Sequence, residues 1–507
     1  MSVFQINQDL TYAPSAIVEK NIFINMPVEN APLPKYEEIR HLLPVPIWDG
    51  HQNVIDCYDF AWQVAFKNIR NANKDANFVS NFIDTAFNGC LFMWDSSFIV
   101  MFGKYGSRAF DFQKTLDNFY SHQHKDGFIC RTLYEDRSAD RFSRHDPSST
   151  GPNILGFAEW EYYSQTGDIN RLKNVFDPLV AYHLWLKENR TWRDGTYWST
   201  GWGCGMDNMP RLEKGYHVSF SHGHMVWVDV CIQQVLSAKI LIKIADIIGR
   251  GDDHSIEILK EEVENLTAII NDKLWDDSDA FYYDLWKNGK LNGVKSVGAY
   301  WALLADIIPP ERMKKFVAHL DNEKEFKRAC RIPTLSADHP EYRGDGGYWR
   351  GGVWAPTNYM VLKGLDKNGY NTLAFDIALN CVEKVASVFD KESTVYENYA
   401  PESVDKGSPA KEDFVGWSGL FPISILFEYV FGIRPYANEG RIVWHINLLQ
   451  RHGIKNYLFN NSTLDLVCEE RKANTEEPVV SAVCDRPIEI ELRYADKSKI
   501  IYASARN

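Results

Sequence analysis

The sequence predicts an all-α fold in which helical hairpins form a toroid, preceded by an extended N-terminal arm and followed by a small β appendage. Between residues 52 and 432, apolar residues recur at helical spacing, and loops rich in Gly, Pro, Trp and Asp separate the helical segments. After residue 436 the apolar residues alternate as they do in half-buried strands. The predicted units are therefore an arm at 1–45, a helical domain at 46–435 and the appendage at 436–507.

The arm is mixed in character and carries several prolines, which is typical of an extended segment that wraps a larger body. Its first residues, MSVFQINQDLTYAP, lack a basic region followed by an apolar one, so we expect no secretory signal. The nine cysteines are scattered and include no CxxC pair. We therefore expect reduced thiols and a cytoplasmic protein.

Two stretches of the predicted helical domain show the clearest amphipathic periodicity. One has its apolar stripe at Cys231, Val235, Ala238, Ile242 and Ala245. The other has it at Ile256, Leu259, Val263, Leu266 and Ile270. Gly249 stands where a glycine C-cap would end the first helix. Long loops between such helices are more often functional than decorative, so we expect a functional face built from 93–97, 126–153, 192–211, 336–358 and 396–417.

The appendage contains three stretches with the period of a strand. PIEIELRY (487–494) alternates apolar residues with charged ones, and STLDLVCEE (462–470) alternates in the same way. GRIVWHI (440–446) is predicted to be a third strand. We recognise no catalytic signature in this part of the chain.

Composition and charge exclude some classes of partner. The chain has 55 Lys and Arg against 68 Asp and Glu, a net charge of −13, and no basic run stands out. Nucleic acids and anionic membranes are bound through clustered cations, so neither is an expected partner. No stretch has the roughly 18 uninterrupted apolar residues of a membrane span. The 16 Trp are notable because many lie beside Gly, Asp or Arg in predicted loops, where core packing explains them less well.

Five loop motifs each place charged groups beside an indole or a tyrosine. They are FMWDSSF (92–98), GWGCGMDNMPR (201–211), GDGGYWRGGVW (344–354), VYENYAPES (395–403) and EDFVGWSGLFP (412–422). A pyranose has an apolar face that stacks on Trp, and its hydroxyls bind carboxylates and Arg. Hydrolysis of a glycosidic bond usually needs two carboxyl groups. A single Asp or Glu in a loop is most often solvated surface or a helix cap, but five such motifs together favour a carbohydrate-active site.

The same motifs resemble those of the inverting (α/α)6-barrel α-glycosidases. YWRGGVWAPTNYMVLKGL (348–365) is similar to the YWRGPxW-x-x-x-NY segment of glycoside hydrolase family 63 and its relatives, which include mannosylglycerate and glucosylglycerate hydrolases and, more distantly, trehalases. MWDSSF resembles their WDSFF segment, and GMDNMPR, ENYAPES and FVGWSGLF have counterparts in the same order. The chain departs from the pattern at Cys204, at Met209 where Ser is usual, and at Gly352 where Pro is usual.

The resemblance implies an (α/α)6 barrel with Asp207 as general acid and Glu397 as general base. Partial burial beside Trp202 and Met206 would raise the pKa of the acid, as its role requires. The substrate-binding residues that the resemblance implies are Trp94, Asp95, Arg211, Trp349, Arg350, Tyr399 and Trp417. Among these, Trp94 and Trp349 would wall the sugar pocket, Asp95 would bind hydroxyls, and Tyr399 is a candidate partner of Glu397.

The expected activity is that of an inverting, exo-acting α-glycosidase, with an α-glucoside favoured as substrate and no cofactor. The histidines of HQH (122–124) and SHGH (221–224) lack a second convincing ligand pair, so no metal is expected. Alternatives are a catalytically silent carbohydrate-binding protein, a hydrolase of mannosyl- or glucosylglycerate or of trehalose-like glycosides, and a lyase or epimerase on the same toroid. Residues 126–152 are either a lid that shapes the leaving-group subsite or a surface excursion. The oligomeric state is left open.

Overall fold

Helices are the main regular structure of residues 36–430 in the computed structural model, which describes residues 13–85 and 89–505. The α-helices are α1 Tyr36–Ile39, α2 Gln52–Lys67, α3 Met93–Gly103, α4 Asp117–Ser121, α5 Leu155–Thr166, α6 Ile169–Asn189, α7 Gly201–Cys204, α8 Val228–Ile248, α9 His254–Lys273, α10 Trp301–Ala305, α11 Pro310–Ala318, α12 Ala355–Lys367 and α13 Asn371–Glu392. A π-helix follows at Phe421–Val430. Short 3-10 helices lie at Val18–Lys20, Ile22–Asn25, Arg40–Leu42, Lys74–Ala76, Lys104–Gly106, Phe112–Leu116, Val297–Tyr300, His319–Asp321, Ser418–Leu420 and Ala437–Glu439. The two periodic stretches are confirmed as α8 and α9, and Gly249 ends α8 in the left-handed conformation.

Six of these helices pack in a closed order. α3 packs on α5, α5 on α8, α8 on α10 and α10 on α12. The π-helix and the Ser418–Leu420 turn before it contact both α12 and α3, so the last element of the series meets the first. Every residue of α3, α10 and the π-helix is buried. A helix without a polar face must be enclosed by other elements, and these six helices therefore form an inner layer.

Longer amphipathic helices cover this layer from outside. α6 packs on α5 and α8, α9 packs on α8, and α13 packs on α12 and the π-helix. α9 buries Ile256, Leu259, Leu266 and Ile270 of its predicted stripe, leaves Val263 half-buried, and also buries Glu262. Three pairs of consecutive helices, α5 with α6, α8 with α9 and α12 with α13, thus form hairpins with one inner and one outer member.

The C-terminal region is a β structure, and "all-α" is therefore too narrow a description of the chain. The strands are β1 Val45–Trp48, β2 Ile69–Arg70, β3 Phe82–Ile83, β4 Cys90–Phe92, β5 Thr132–Tyr134, β6 Trp275–Asp276, β7 Phe281–Tyr282, β8 Ile433–Tyr436, β9 Arg441–His445, β10 His452–Phe459, β11 Ser462–Cys468, β12 Val480–Cys484, β13 Glu489–Tyr494, β14 Lys497–Tyr502 and β15 Ser504–Ala505. One sheet has the order β1-β10-β11-β12-β15 and another the order β14-β13-β9-β8. The three predicted strands are confirmed as β9, β11 and β13.

β1, which begins at the last residue of the predicted N-terminal arm, belongs to the first of these sheets. β1 pairs antiparallel with β10, with Val45 opposite Lys455 and Trp48 opposite His452. The predicted boundary at residue 45 therefore falls at the start of a strand that belongs to the C-terminal sheet. Pairing between strands about 400 residues apart has no local sequence signal, because register depends on the partner strand.

Two stretches predicted as loops are helical. Residues 93–97 form the first turn of α3, and 201–204 form the single turn of α7. Polar and small residues are compatible with a helix N-terminus, where an acidic residue such as Asp95 is favourable. The Thr200 side chain caps α7 by accepting a hydrogen bond from the Gly203 amide at 2.9 Å.

The nine cysteines are buried and unbridged, in keeping with reduced thiols. Within residues 13–85 and 89–505, no helix combines the length and the apolar character that crossing a bilayer requires. The cytoplasmic location stays a prediction.

Candidate active site

A cavity of about 200 Å³ lies where the first turns of inner helices meet the motif loops. Its lining residues are Phe92, Trp94, Asp95, Arg131, Gly151, Pro152, Trp202, Gly205, Asp207, Tyr348, Trp349 and Trp417. Trp94 and Asp95 belong to the first turn of α3, and Gly151 and Pro152 come shortly before α5. The structure thus brings together five of the predicted site residues, namely Trp94, Asp95, Asp207, Trp349 and Trp417.

Two glycines allow close packing in the Gly201–Arg211 segment, which we call the acid loop because it carries Asp207. A Cβ on Gly201 would lie 2.2 Å from the Val218 carbonyl oxygen and 2.5 Å from the Asp207 carbonyl oxygen. Gly205 has φ +78°, and a Cβ there would lie 3.2 Å from the Trp94 indole. The loop therefore needs glycine at both positions, for close approach at the first and for a left-handed conformation at the second.

Asp207 is half-buried at the cavity wall. Burial raises the pKa of its carboxyl to about 6, and the positive charge of Arg131 acts in the opposite direction. The carboxyl of Asp95 is 5% exposed, and its pKa is raised well above the ordinary value by burial and by the negative charges of Glu397 and Asp207. Three carboxyls therefore share one poorly solvated region, and each is harder to ionise than in water.

Glu397 is held by several contacts at the edge of this region. Its Oε1 accepts a hydrogen bond from the Tyr348 hydroxyl at 3.2 Å, and its Oε2 accepts one from the Lys411 amide at 3.3 Å. The Trp417 indole donates to the Glu397 carbonyl oxygen at 2.9 Å. Burial raises the pKa of Glu397 to about 7, and the negative charge of Asp207 adds to this rise. The two hydrogen bonds lower the pKa but do not cancel the effect of burial.

Tyr348, and not Tyr399, is the tyrosine that contacts the Glu397 carboxylate. The Tyr399 hydroxyl instead accepts a hydrogen bond from the Tyr396 amide at 3.2 Å, and its ring lies against Phe421. Tyr399 is buried and is not among the cavity-lining residues. The prediction of Tyr399 as the partner is corrected because sequence proximity to Glu397 does not fix where the side chain points.

Asn208 joins the acid loop to the Tyr348–Arg350 segment. Its side chain donates to the Gly347 carbonyl at 3.0 Å and accepts from the Trp349 amide at 2.9 Å. Its carbonyl accepts a hydrogen bond from Arg350 Nε at 3.2 Å. Sequence reasoning assigned no role to Asn208, although its place next to Asp207 was visible.

The indole of Trp349 stacks on Trp354, with ring centroids 4.0 Å apart and an interplanar angle of 6°. The amide of Gly352 supports this segment by donating to the carbonyls of Gly346 at 2.7 Å and Tyr348 at 3.2 Å. A proline at 352 could donate neither bond. Gly352, where the chain departs from the family pattern, therefore supplies an amide that the local structure needs.

Arg211 is placed away from the cavity, and its predicted role in substrate binding is corrected. Its guanidinium is buried and makes paired hydrogen bonds of 2.6–2.8 Å with the carboxylates of Asp229 and Asp284. All of its charge is thus neutralised inside the protein. Cys204 and Met209 are also buried and do not line the cavity.

Arg350 lies outside the cavity lining as well. Its Nη1 pairs with Glu341 at 3.0 Å, and about a third of its side chain is exposed. Arg350 therefore orients the loop that carries Trp349, through Asn208, and does not reach the three carboxyls in this structure.

The 126–152 segment contributes to the site. β5 pairs with β4, and Arg131, directly before β5, lines the cavity together with Gly151 and Pro152. The Arg131 guanidinium lies 4.4 Å from the Phe142 ring and 5.8 Å from the Trp202 ring. Neither Arg131 nor Trp202 was predicted as a substrate-binding residue. The sequence did contain a signal for Arg131, because it is a basic residue in the 126–152 segment, which was considered as a lid over the leaving-group subsite.

The histidines of the HQH and SHGH motifs contact side chains that do not line the cavity. His124 Nε2 lies 2.7 Å from Asp140, and the His222 ring packs against Trp192 and Trp198. In the described part of the chain, no group of three His, Cys, Asp or Glu side chains is arranged to hold a metal ion. The expectation of a metal-independent site stays a prediction.

The family model for the mannosylglycerate hydrolase MGH1-like glycoside hydrolase domain matches residues 91–418. The chain belongs to this family. The match includes the segments that carry Trp94, Asp207, Trp349, Glu397 and Trp417, so the family assignment and the cavity concern the same part of the molecule.

Two relatives with assigned activities are similar over about half of this chain. The mannosyl-oligosaccharide glucosidase of Saccharomyces cerevisiae is 22% identical over 294 residues, covering 53% of this chain and 34% of that protein. The mannosylglycerate hydrolase of Thermus thermophilus is 24% identical over 353 residues, covering 56% of this chain and 83% of that protein. The chain is accordingly a glycosidase of the family 63 type.

A solved structure shows the shared fold. A family 63 mannosylglycerate hydrolase of Thermus thermophilus, crystallised with glucose, superposes with a TM-score of 0.59 at 19% identity. The superposition covers 72% of this chain and 99% of the other.

Proposed function

We propose that the protein is an inverting, exo-acting α-glycosidase, with an α-glucoside as its preferred substrate. The observation that carries the proposal is the position of Asp207 on the wall of an aromatic-lined cavity and of Glu397 beside it, in contact with the cavity-lining residues Tyr348 and Trp417. Burial raises the pKa of both carboxyls. Carboxyls with pKa values near neutrality can exchange protons with a substrate at neutral pH. Aromatic walls at Trp94, Trp349 and Trp417 suit the apolar face of a sugar ring.

In the proposed reaction, protonated Asp207 gives its proton to the glycosidic oxygen as the bond to the anomeric carbon breaks. A water molecule attacks the anomeric carbon from the opposite face and passes a proton to ionised Glu397. The products are the free aglycone alcohol and a sugar of inverted anomeric configuration. Asp95, on the first turn of α3, supplies hydrogen bonds to hydroxyls of the terminal sugar.

We also propose that the fold is an (α/α)6 toroid. The closed packing order of six inner helices, with outer helices paired to them as hairpins, supports this architecture. It accounts for the convergence of loops that are up to 323 residues apart in the chain, from Trp94 to Trp417, on one face.

A second substrate class is an α-mannoside or α-glucoside of a small acid such as glycerate. It is favoured by the half-buried Arg131 at the cavity, whose positive charge would pair with a carboxylate of the leaving group. The Thermus relative carries the name of such an activity, and the yeast relative carries the name of a glucosidase.

The test is a hydrolysis panel of α-glucosyl disaccharides, α-glucosylglycerate and α-mannosylglycerate, followed by proton NMR from the first minutes. We expect turnover of at least one α-glucoside and the β-anomer as the first sugar product, because water attacks directly. An α-anomer formed first would contradict inversion. Failure to hydrolyse any member of the panel would contradict the proposed activity.

Two variants test which carboxyl is the general acid and which is the general base. Asp207→Asn is expected to lose about 10²–10⁴-fold in kcat on a disaccharide but to keep activity on α-glucosyl fluoride, since fluoride leaves without a proton. Glu397→Gln is expected to lose activity on both substrates. The opposite pattern would exchange the roles of Asp207 and Glu397. The matched control is Glu402→Gln, because Glu402 belongs to the same motif but pairs with Arg328 away from the cavity.

A further inference from the structure

Phe220 is an exposed aromatic residue next to the cavity. Its side chain is 42% exposed, and its ring centroid lies 4.3 Å from that of Trp202, which lines the cavity, and 4.7 Å from that of His217. An exposed phenylalanine adds little to a core. Its position beside a cavity-lining indole suggests contact with a ligand instead.

The backbone around Phe220 is fixed to the acid loop. The amides of Gly201 and Trp202 donate to the carbonyls of Val218 at 3.0 Å and Ser219 at 3.2 Å. The Ser148 hydroxyl donates to the same Ser219 carbonyl at 3.2 Å. Phe220 is therefore held beside Trp202 by hydrogen bonds from the first two amides of α7 to the carbonyls of the two residues before Phe220.

These residues lie on the side of the proposed general acid. Trp202 precedes Asp207 by five positions in the same segment, and Arg131, which lowers the pKa of Asp207, lies 5.8 Å from the Trp202 ring. Phe142 continues the aromatic surface, with its ring centroid 6.1 Å from that of Trp202. Since a general acid protonates the leaving group, the aglycone must lie on this side of the cavity.

We propose that Phe220 and Trp202 form an aglycone platform, a subsite on which a ring of the leaving group stacks. The inference rests on the proposed glycosidase function and deepens it. The preferred substrate then has a second sugar ring after the scissile bond, because a pyranose has an apolar face for stacking and an open-chain acid such as glycerate has none. The platform makes Phe220 a specificity-determining residue.

The test compares two substrates in one variant. Phe220→Ala is expected to lower kcat/KM for an α-glucosyl disaccharide by about 3- to 10-fold and to leave kcat/KM for α-glucosylglycerate unchanged. Phe220→Trp should keep the wild-type ratio. Ile500→Ala, which removes an exposed apolar side chain on β14, is the control and should leave the ratio unchanged. An unchanged ratio in Phe220→Ala would overturn the proposal.

A binding measurement separates this proposal from the proposed function. Calorimetric titration of Asp207→Asn with an α-glucosyl disaccharide should give a Kd that rises about 3- to 10-fold when Phe220→Ala is added. If no glycoside is hydrolysed but this difference is found, the hydrolase proposal fails and the platform stands. No binding to Asp207→Asn, or equal Kd values for the two proteins, would overturn the platform. Thermal unfolding checks that Phe220→Ala is folded.

Discussion

At the scale of single residues, the site is defined by carboxyls with raised pKa values and by the groups that oppose the shift. Arg131 favours the ionised form of Asp207, and the Tyr348 hydroxyl favours the ionised form of Glu397. Burial outweighs both effects, so the pKa values are about 6 and 7. The negative charge of Asp207 adds to the raised pKa of Glu397, and the productive form holds one proton on the two carboxyls.

The pH dependence of kcat/KM follows from that pair. It is expected to rise near pH 6, as the doubly protonated form is lost, and to fall near pH 7, as the last proton is lost. Tyr348→Phe removes a hydrogen bond that stabilises ionised Glu397. The higher apparent pKa should then rise, the alkaline limb should move to higher pH, and the maximum should fall because Glu397 competes better for the proton.

Tyr399→Phe is the matched control for this pH profile. Its hydroxyl contacts the Tyr396 amide and not the Glu397 carboxylate, so its profile should coincide with that of the wild type. Coinciding profiles for Tyr348→Phe and the wild type would rule out the proposed role of the Tyr348 hydroxyl.

At the scale of elements, the acid loop is positioned by an ion-paired anchor behind it. Arg211 ends the loop and joins it to Asp229, in the first turn of α8, and to Asp284, just after β7. All three side chains are buried. Removing one member of such a cluster leaves uncompensated charge in a poorly solvated region.

Arg211→Met is expected to lower the free energy of unfolding by about 3–5 kcal/mol, because two buried carboxylates lose their counter-charge. Urea unfolding at pH 7 measures this as a lower midpoint. Arg343→Met is the control, since Arg343 and Asp345 form a largely exposed pair whose loss should leave the urea midpoint close to that of the wild type. Equal midpoints for Arg211→Met and the wild type would contradict the anchoring role.

At the scale of the whole molecule, a buried charge cluster joins four members of the inner layer. Lys104 follows α3, Glu161 lies in α5, Lys363 in α12 and Glu428 in the π-helix. The Nζ atoms of both lysines lie 3.1 Å from the Glu428 carboxylate, and Lys363 also contacts Glu161 at 2.6 Å. The cluster contains two positive and two negative charges. It lies where the π-helix, the last of the six inner helices, meets α3, the first.

Glu428→Gln should lower the free energy of unfolding by about 3–5 kcal/mol at pH 7, because buried Lys104 and half-buried Lys363 are left with one carboxylate. Burial disfavours ionised Glu428, but Lys104 and Lys363 outweigh it and hold its pKa at about 2. The lowered pKa means that this stabilisation is complete above the ordinary value near 4.5 and is lost as the pH falls toward 2.

The difference between wild type and Glu428→Gln should therefore shrink when urea unfolding is repeated near pH 3. Glu439→Gln, at an exposed pair with Arg441, provides the control with a change below about 0.5 kcal/mol. A constant difference between pH 7 and pH 3 would show that the Glu428 charge is not its cause.

The amino-acid sequence was sufficient to predict the helix-rich region and the three alternating strands, because periodicity is a local property. It also located the motifs, although residues 93–97 and 201–204, predicted as loops, are helical. It also placed Trp94, Asp95, Asp207, Trp349 and Trp417 in a common site through their family resemblance, and the cavity brings these five together. The catalytic roles of Asp207 and Glu397 remain proposals that the variants above test.

Tertiary packing, in contrast, determines what each side chain meets. Arg211 and Tyr399 lie in the predicted motifs, yet buried partners hold them away from the cavity, whereas Arg131 and Tyr348 line it without having been predicted to do so. β1 likewise pairs with β10 from the far end of the chain. Such contacts depend on packing between segments distant in sequence, and local propensity carries no information about which distant group will be nearest.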